Sequence, residues 1–177
     1  MGRTQYYCAA TLDGFIAGRG GDLEWLFAVE GGKESYEPFF AEVGVLAMGA
    51  ATYEWLQDRV ENWPYPDHTT WVFTHRELEP FEGAELRFVQ GSPRQHIDEM
   101  RATAGERNLW VVGGGDLASQ FADEGLLDEL ILTVAPVVLA EGIPLFARGI
   151  PGQLRLADTR RRGTAVELRY ELPSEAG

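Results

Sequence analysis

Leu109-Trp110-Val111-Val112-Gly113-Gly114-Gly115-Asp116-Leu117 decides how the chain folds. Four apolar residues, two of them β-branched, read as a buried strand. Three glycines follow, and Asp116 to Glu124 then carry Leu117 and Phe121 one helical turn apart, with Gly125 placed as a left-handed C-cap. A strand running through glycines into a helix is the turn of an α/β unit. Glycine lets backbone come close to a ligand, and the free amides of a first helical turn, here around Asp116 and Leu117, favour a phosphate. The same arrangement also serves as a tight turn with no ligand. The spacing is not G-x-G-x-x-G, and no acidic ribose-binding residue stands about 20 positions on. Gly32-Lys33 is followed by Glu34 where a Walker loop needs Ser or Thr.

A second junction of this kind lies upstream. Val45-Leu46-Ala47-Met48 leads into Gly49, and Thr52 places a hydroxyl in the first turn of the helix that follows, which carries Tyr53 and Leu56. Neighbouring parallel strands would deliver both corners to one edge of the sheet, where they could hold the two phosphates of a dinucleotide between them.

Outward from these corners, eight segments read as strands: 5–12, 43–48, 69–74, 86–90, 108–112, 129–139, 153–159 and 164–172. Ser92 as N-cap and Pro93 at the first position open a helix to 104, striped by Ile97, Met100 and Ala104. Residues 34–42 are a weaker helix, because Pro38 is tolerated only in a first turn. Helices alternate with strands through residue 125, and strands alone follow. That order predicts an α/β fold with a mostly parallel central sheet of eight strands, finished by a C-terminal antiparallel hairpin and flanked by helices. One domain over 1–173 with a short tail at 174–177 accounts for the chain.

Composition narrows the function. Fifteen basic residues face 28 acidic ones, for a formal charge of −13, which disfavours a nucleic-acid or anionic-membrane partner. The densest basic run, Arg160-Arg161-Arg162, reads as a solvated turn before Gly163. No window approaches the roughly 18 apolar residues of a membrane span, the N-terminus lacks a signal-peptide pattern, and Cys8 is the single cysteine. A cytoplasmic protein is expected. Cys8 lies mid-strand among apolar residues and reads as a packed thiol rather than a nucleophile. His68, His75 and His96 are scattered without metal-ligand spacing, and no G-x-S-x-G elbow occurs. Trp25, Tyr36 and Phe40 are candidates to line a substrate pocket for a flat ring, although aromatics at helical spacing also serve as plain core.

The ordered motifs carry a family resemblance over nearly the whole chain. Ala9-Ala10-Thr11-Leu12-Asp13-Gly14-Phe15-Ile16-Ala17-Gly18 resembles the S-L-D-G-x-I-A opening of dihydrofolate reductase-like proteins of the RibD C-terminal-domain branch, the reductases of riboflavin biosynthesis. Met48-Gly49-x-x-Thr52-Tyr53 is similar to that family's M-G-R-x-T-[YW]. Trp71 to Arg76 resembles its next strand and cofactor loop, and Val111 to Gly115 with Gln120-Phe121 its V-I-G-G-G turn and helix. Leu127 to Thr133 and Gly142-Ile143-Pro144-Leu145-Phe146 look like its late strand and G-x-P-L-F segment.

The resemblance implies an oxidoreductase that binds NADPH across the sheet edge and passes hydride to a small substrate, pterin- or pyrimidine-like, with a homodimer as assembly. By analogy Ala10 and Ile16 flank the nicotinamide, and Thr133 faces the substrate. Gly49, Thr52 and Gly113 to Gly115 meet the pyrophosphate, Asp116 and Leu117 follow them at the cofactor site, and Thr74, His75 and Arg76 lie near the adenosine ribose. Ala50 and Asp116 stand where the family often has arginines associated with the 2′-phosphate, so NADH is the alternative cofactor. The carboxylate of folate-reducing members falls on Tyr36, between Glu34 and Glu37, which argues against dihydrofolate as substrate and leaves the proton donor unassigned. The H-x-E and P-C-x-x-C pattern of a fused zinc deaminase is absent. The competing reading is a non-catalytic nucleotide-binding or dimeric interaction module on the same fold.

Overall fold

The computed structural model describes residues 2–29 and 33–173. The expected tail at 174–177, Gly32 of the Gly-Lys pair and the side chain of Glu34 lie outside the described residues. Among the described residues ten strands form: β1 (Thr4–Thr11), β2 (Phe15–Ala17), β3 (Val43–Gly49), β4 (Thr69–Phe73), β5 (Leu86–Val89), β6 (Asn108–Gly113), β7 (Glu129–Ala135), β8 (Ile143–Pro144), β9 (Arg155–Arg162) and β10 (Ala165–Glu171). The helices are α1 (Glu24–Phe27), α2 (Lys33–Ala41), α3 (Ala50–Gln57), α4 (Ile97–Ala104) and α5 (Gly115–Asp123).

Eight strands make one sheet in the order β5-β4-β3-β6-β1-β7-β10-β9. All its pairings are parallel except the two made by β10, which runs against β7 and β9. This is the expected dihydrofolate reductase-like α/β sheet with its C-terminal hairpin. The central strands are apolar on both sides because both sides are covered. Val45, Ala47, Leu109 and Val111 meet Met100, Leu117 and Phe121 of α4 and α5. Leu46, Met48, Trp110 and Ile131 meet Phe39, Tyr53 and Leu56 of α2 and α3. Val43 and Val45 go to opposite clusters although two residues apart, since the register against β6 shifts between them. Gly44 sits in that shift, where a Cβ would stand 2.7 Å from the Ala104 carbonyl oxygen.

All eight expected strands form, with corrections at their ends. The 129–139 segment leaves the sheet after Ala135, because Pro136 has no amide to continue the ladder. The 153–159 segment lies later, at Arg155–Arg162, so Arg160-Arg161-Arg162 is strand rather than turn. Arg162 pairs with Glu167 on β10 at 3.2 Å, and the turn itself is Gly163-Thr164, with Gly163 at φ +56°. Ser92 makes no side-chain cap. Pro93–Gln95 is a single 3-10 turn before α4 begins at Ile97. Pro38 stands inside α2 rather than in its first turn. Its exposed ring costs one helical hydrogen bond, offset where Phe39 buries on the sheet and Ser35 bonds Tyr7. Gly125 does cap α5, at φ +64°, with the Leu126 amide donating to the Phe121 carbonyl at 2.8 Å.

Candidate functional site: two glycine corners above an apolar cavity

β3 and β6 are hydrogen-bonded neighbours, so their C-terminal ends reach the same edge, with Met48 opposite Gly113. Gly49 is the N-cap of α3, in extended conformation (φ −80°, ψ 164°), and Gly114 is the N-cap of α5 (φ −89°, ψ −170°). The Gly113–Gly114 peptide is cis. Neither helix has a side-chain cap. Their first-turn amides, which no residue within the helix can satisfy, therefore face the same corner. A Cβ built on Gly49 would project into the space between the corners, 3.9 Å from both Gly113 O and Gly114 N. Thr52 closes the space from above: its Oγ1 lies 3.4 Å from the Cβ position of Gly113 and 3.9 Å from that of Gly114. The result is a cradle lined by main chain, with two helix N-termini pointed at it. The residues present fit a diphosphate.

Gly115 has a different reason to be glycine. A Cβ there would lie 2.5 Å from the Pro144 carbonyl oxygen and 2.8 Å from that of Leu145, so it serves the packing of α5 against the end of β8. The side chain of Leu117 is buried in the core, and only its main chain is at the helix start. The Asp116 carboxylate is partnered, accepting from Gln120 Nε2 at 2.7 Å and lying 3.5 Å from the Arg148 guanidinium.

From the cradle an open cavity of about 670 Å3 runs toward β1. Ala9, Ile16 and Val112 line it nearest the sheet, and Leu23, Phe27, Trp55 and Tyr65 form much of its apolar wall. Ile16 is therefore among the residues that line the cavity. Ala10 is not: it is 1% exposed and packs in the core on the α5 side, and its neighbour Ala9 faces the cavity. Trp25, Tyr36, Phe40 and Thr133 are not among the lining residues. Tyr36 and Phe40 stack on each other (5.4 Å, 13°) and edge against Trp110, which is the plain-core reading. Thr133 is held between Ala9 and Glu167 in the sheet, 7% exposed.

Tyr7 stands at the cavity's inner end, its hydroxyl 2.9 Å from Ser35 Oγ, and burial raises its phenol above the ordinary tyrosine range, so it stays protonated at neutral pH. Burial likewise pushes the Cys8 thiol up to about 12, in keeping with a packed rather than a reactive cysteine.

The mouth is framed by a strapped loop. β2 pairs with β8, and Gly142 packs on Ala17. Asp13 ties the turn before β2 to the chain after β7: its carboxylate accepts from Thr11 Oγ1 (2.6 Å), Ala140 N (2.7 Å) and Leu139 N (3.1 Å). These bonds, the Thr11 hydroxyl foremost, hold the Asp13 carboxyl below the ordinary aspartate range.

At the β4 side, Thr74 Oγ1 accepts from the Arg76 amide at 3.0 Å and shapes the loop, His75 is exposed, and both guanidinium ends of Arg76 donate to Glu54 on α3 at 2.8 Å. Glu54 itself lines the cavity. The sequence reading missed Glu54, Trp55 and Tyr65. Ala51, Trp55 and Asp58 do recur at helical spacing toward the cavity, whereas Tyr65 lies in a loop without periodicity. Among the described residues no three His, Cys, Asp or Glu side chains gather where a metal ion could be held, and no helix is long and apolar enough to cross a membrane.

The comparisons agree with this architecture. Residues 57–168 match the RibD C-terminal domain model. The Bacillus subtilis protein YwjB is 36% identical over 170 residues, covering 95% of this chain and 97% of that protein. The crystal structure of a riboflavin biosynthesis protein from Shewanella sp. PV-4, itself described as putative, superimposes with a TM-score of 0.81 at 25% identity, covering 96% of this chain and 98% of that one. The riboflavin biosynthesis protein RibD of Corynebacterium ammoniagenes is 28% identical over 165 residues, covering 83% of this chain but 47% of that protein. This chain thus spans about half of that relative and nearly all of YwjB. The chain belongs to the RibD C-terminal domain family.

Proposed function

We propose that the protein is a reductase that takes hydride from a reduced nicotinamide dinucleotide, NADPH as the family resemblance implies or NADH, and delivers it to a small heterocycle of pterin or pyrimidine type. The observation that carries this reading is the cradle between Gly49 and Gly113-Gly114, into which a Cβ on Gly49 would project, opening into a largely apolar cavity of about 670 Å3. When bound, the dinucleotide supplies the hydride. The chain's own part is to grip the diphosphate with main-chain amides of α3 and α5 and to place a ring against Ala9 and Ile16. Leu23, Phe27 and Trp55 keep water from the reacting face.

Titrating NADPH and NADH against the fluorescence of the five tryptophans tests the reading, because Trp55 is on the cavity wall. Saturable quenching by at least one nucleotide is expected, and loss of 340 nm absorbance should then pick out substrates from a panel of pterins, pyrimidines and carbonyl compounds. No binding of either nucleotide at millimolar concentration would leave a non-catalytic module. Part of the same proposal is a homodimer. Leu156 and Val166, 48% and 41% exposed on the adjacent strands β9 and β10, support a buried apolar contact there, and light scattering should give twice the chain mass.

A further inference from the structure

We infer that Glu54 makes the site select NADH over NADPH, an inference that rests on the reductase reading above. The direction of the bound dinucleotide follows from strand order. The diphosphate cradle sits over β3 and β6, and the cavity that Glu54 lines at its α3 side reaches Ala9 and Ile16 at its β1 side. A nicotinamide placed there sends the adenosine half the other way, over the ends of β4 and β5.

On that side two charged side chains face each other. Arg76 follows β4, and Glu54 is the fifth residue of α3, on the order of 7 Å along the helix from the Gly49 corner. They form a two-pronged ion pair, Arg76 Nη1 to Glu54 Oε1 and Nη2 to Oε2, both 2.8 Å. The guanidinium charge is compensated and its paired donors are occupied. A ribose 2′-phosphate arriving here would have to displace Glu54 from Arg76 or stand beside a carboxylate. The remaining charged neighbours give it little. Ala50 at the start of α3 offers only a methyl group, Asp116 at the start of α5 is itself acidic, and Arg148 is engaged by Asp116 and Asp123. Arg59 lies over the Trp55 ring, 4.6 Å from its centroid, and exposed His75 is the one further nitrogen base of the β4 loop.

The 2′,3′-diol of NADH has the opposite chemistry. It donates hydrogen bonds, and a carboxylate at a ribose is the usual means by which a protein favours the unphosphorylated dinucleotide. With Arg76 holding it, Glu54 is oriented as well as charged, so it acts as a specificity-determining residue.

The test is a tryptophan-fluorescence titration of the intact protein with NADH and with NADPH, repeated on Glu54→Gln. The wild type should bind NADH at least about tenfold more tightly. Glu54→Gln, isosteric and at a half-exposed position, should tighten NADPH and weaken NADH, so that the preference narrows by about tenfold or inverts. Circular dichroism should show the variant folded. Equal or tighter binding of NADPH by the wild type overturns the inference and leaves the reductase reading standing, and so does an unchanged ratio in the variant. Binding of neither nucleotide overturns both.

Discussion

Gly49 and Gly115 should respond to the same substitution in opposite ways. In Gly115→Ala the new methyl would stand 2.5 Å from the Pro144 carbonyl oxygen and 2.8 Å from that of Leu145. Both atoms belong to a segment already pinned by Leu145 N to Gly14 O and by the Tyr6 hydroxyl to Leu145 O. Overpacking of this kind costs about 1–3 kcal/mol, which for a domain of this size lowers Tm by roughly 3–10 °C. In Gly49→Ala the methyl meets nothing closer than 3.9 Å, and φ −80°, ψ 164° is ordinary extended backbone for alanine. Reduced freedom of the unfolded chain should even add about 0.4–1 kcal/mol of stability. That methyl, however, occupies the diphosphate cradle. Displacing a phosphate from two main-chain amides forfeits hydrogen bonds to a charged group, each worth about 1.5–3 kcal/mol. Affinity should therefore fall by roughly a hundredfold or more. Differential scanning fluorimetry and nucleotide titration on both variants separate the two effects. Gly49→Ala that binds nucleotide like the wild type, or that melts several degrees lower, would refute the assignment of that glycine to a ligand.

Other expectations follow from single contacts. Asp13→Asn removes the charge that gathers Leu139 N, Ala140 N and Thr11 Oγ1, so amide exchange at 139 and 140 should quicken by roughly tenfold while α4 is unaffected, as read by hydrogen-exchange mass spectrometry. The Asp13 carboxyl is held below its ordinary range, so the clasp should persist through neutral and mildly acidic pH and open only as pH falls through that lowered value. Phe121, fully buried between α5 and the sheet, should cost about 3–5 kcal/mol when cut to alanine, measured by urea unfolding. Cys8, with its thiol pushed up to about 12, should stay silent to a thiol reagent at pH 8 in the native protein and react once in denaturant.

Where the sequence was a good guide, the reason is local physics. The strands at 43–49 and 108–113 carry near-continuous apolar runs and end in glycine, the pattern of a doubly covered parallel strand entering a helix. The hairpin was harder. Its face toward solvent is charged, so Arg160-Arg161-Arg162 looked like a turn until pairing with Glu167, Val166 and Ala165 put it in β9. β2 and β8 are two or three residues long, and their pairing is fixed by the Asp13 clasp and by Gly142 against Ala17, contacts more than 120 residues apart in the chain. The placement of Ala10 failed on phase: alternate residues of a strand face opposite ways, so of the two adjacent alanines Ala9 faces the cavity and Ala10 the core. The aromatic candidates failed for another reason. Tyr36, Phe40 and Trp110 satisfy one another, and the wall that does face the cavity comes from Leu23, Leu26 and Phe27, at helical spacing but on a helix of one turn, too short for its period to stand out, and from Tyr65 in a loop without periodicity.

Crystals of the protein soaked with reduced dinucleotide put the central claim to its most direct test. The diphosphate oxygens should lie within about 3.2 Å of main-chain nitrogens at the starts of α3 and α5, with the nicotinamide ring over Ala9 and Ile16. A nucleotide seated elsewhere on the molecule, with the glycine corners left empty at millimolar concentration, would contradict it.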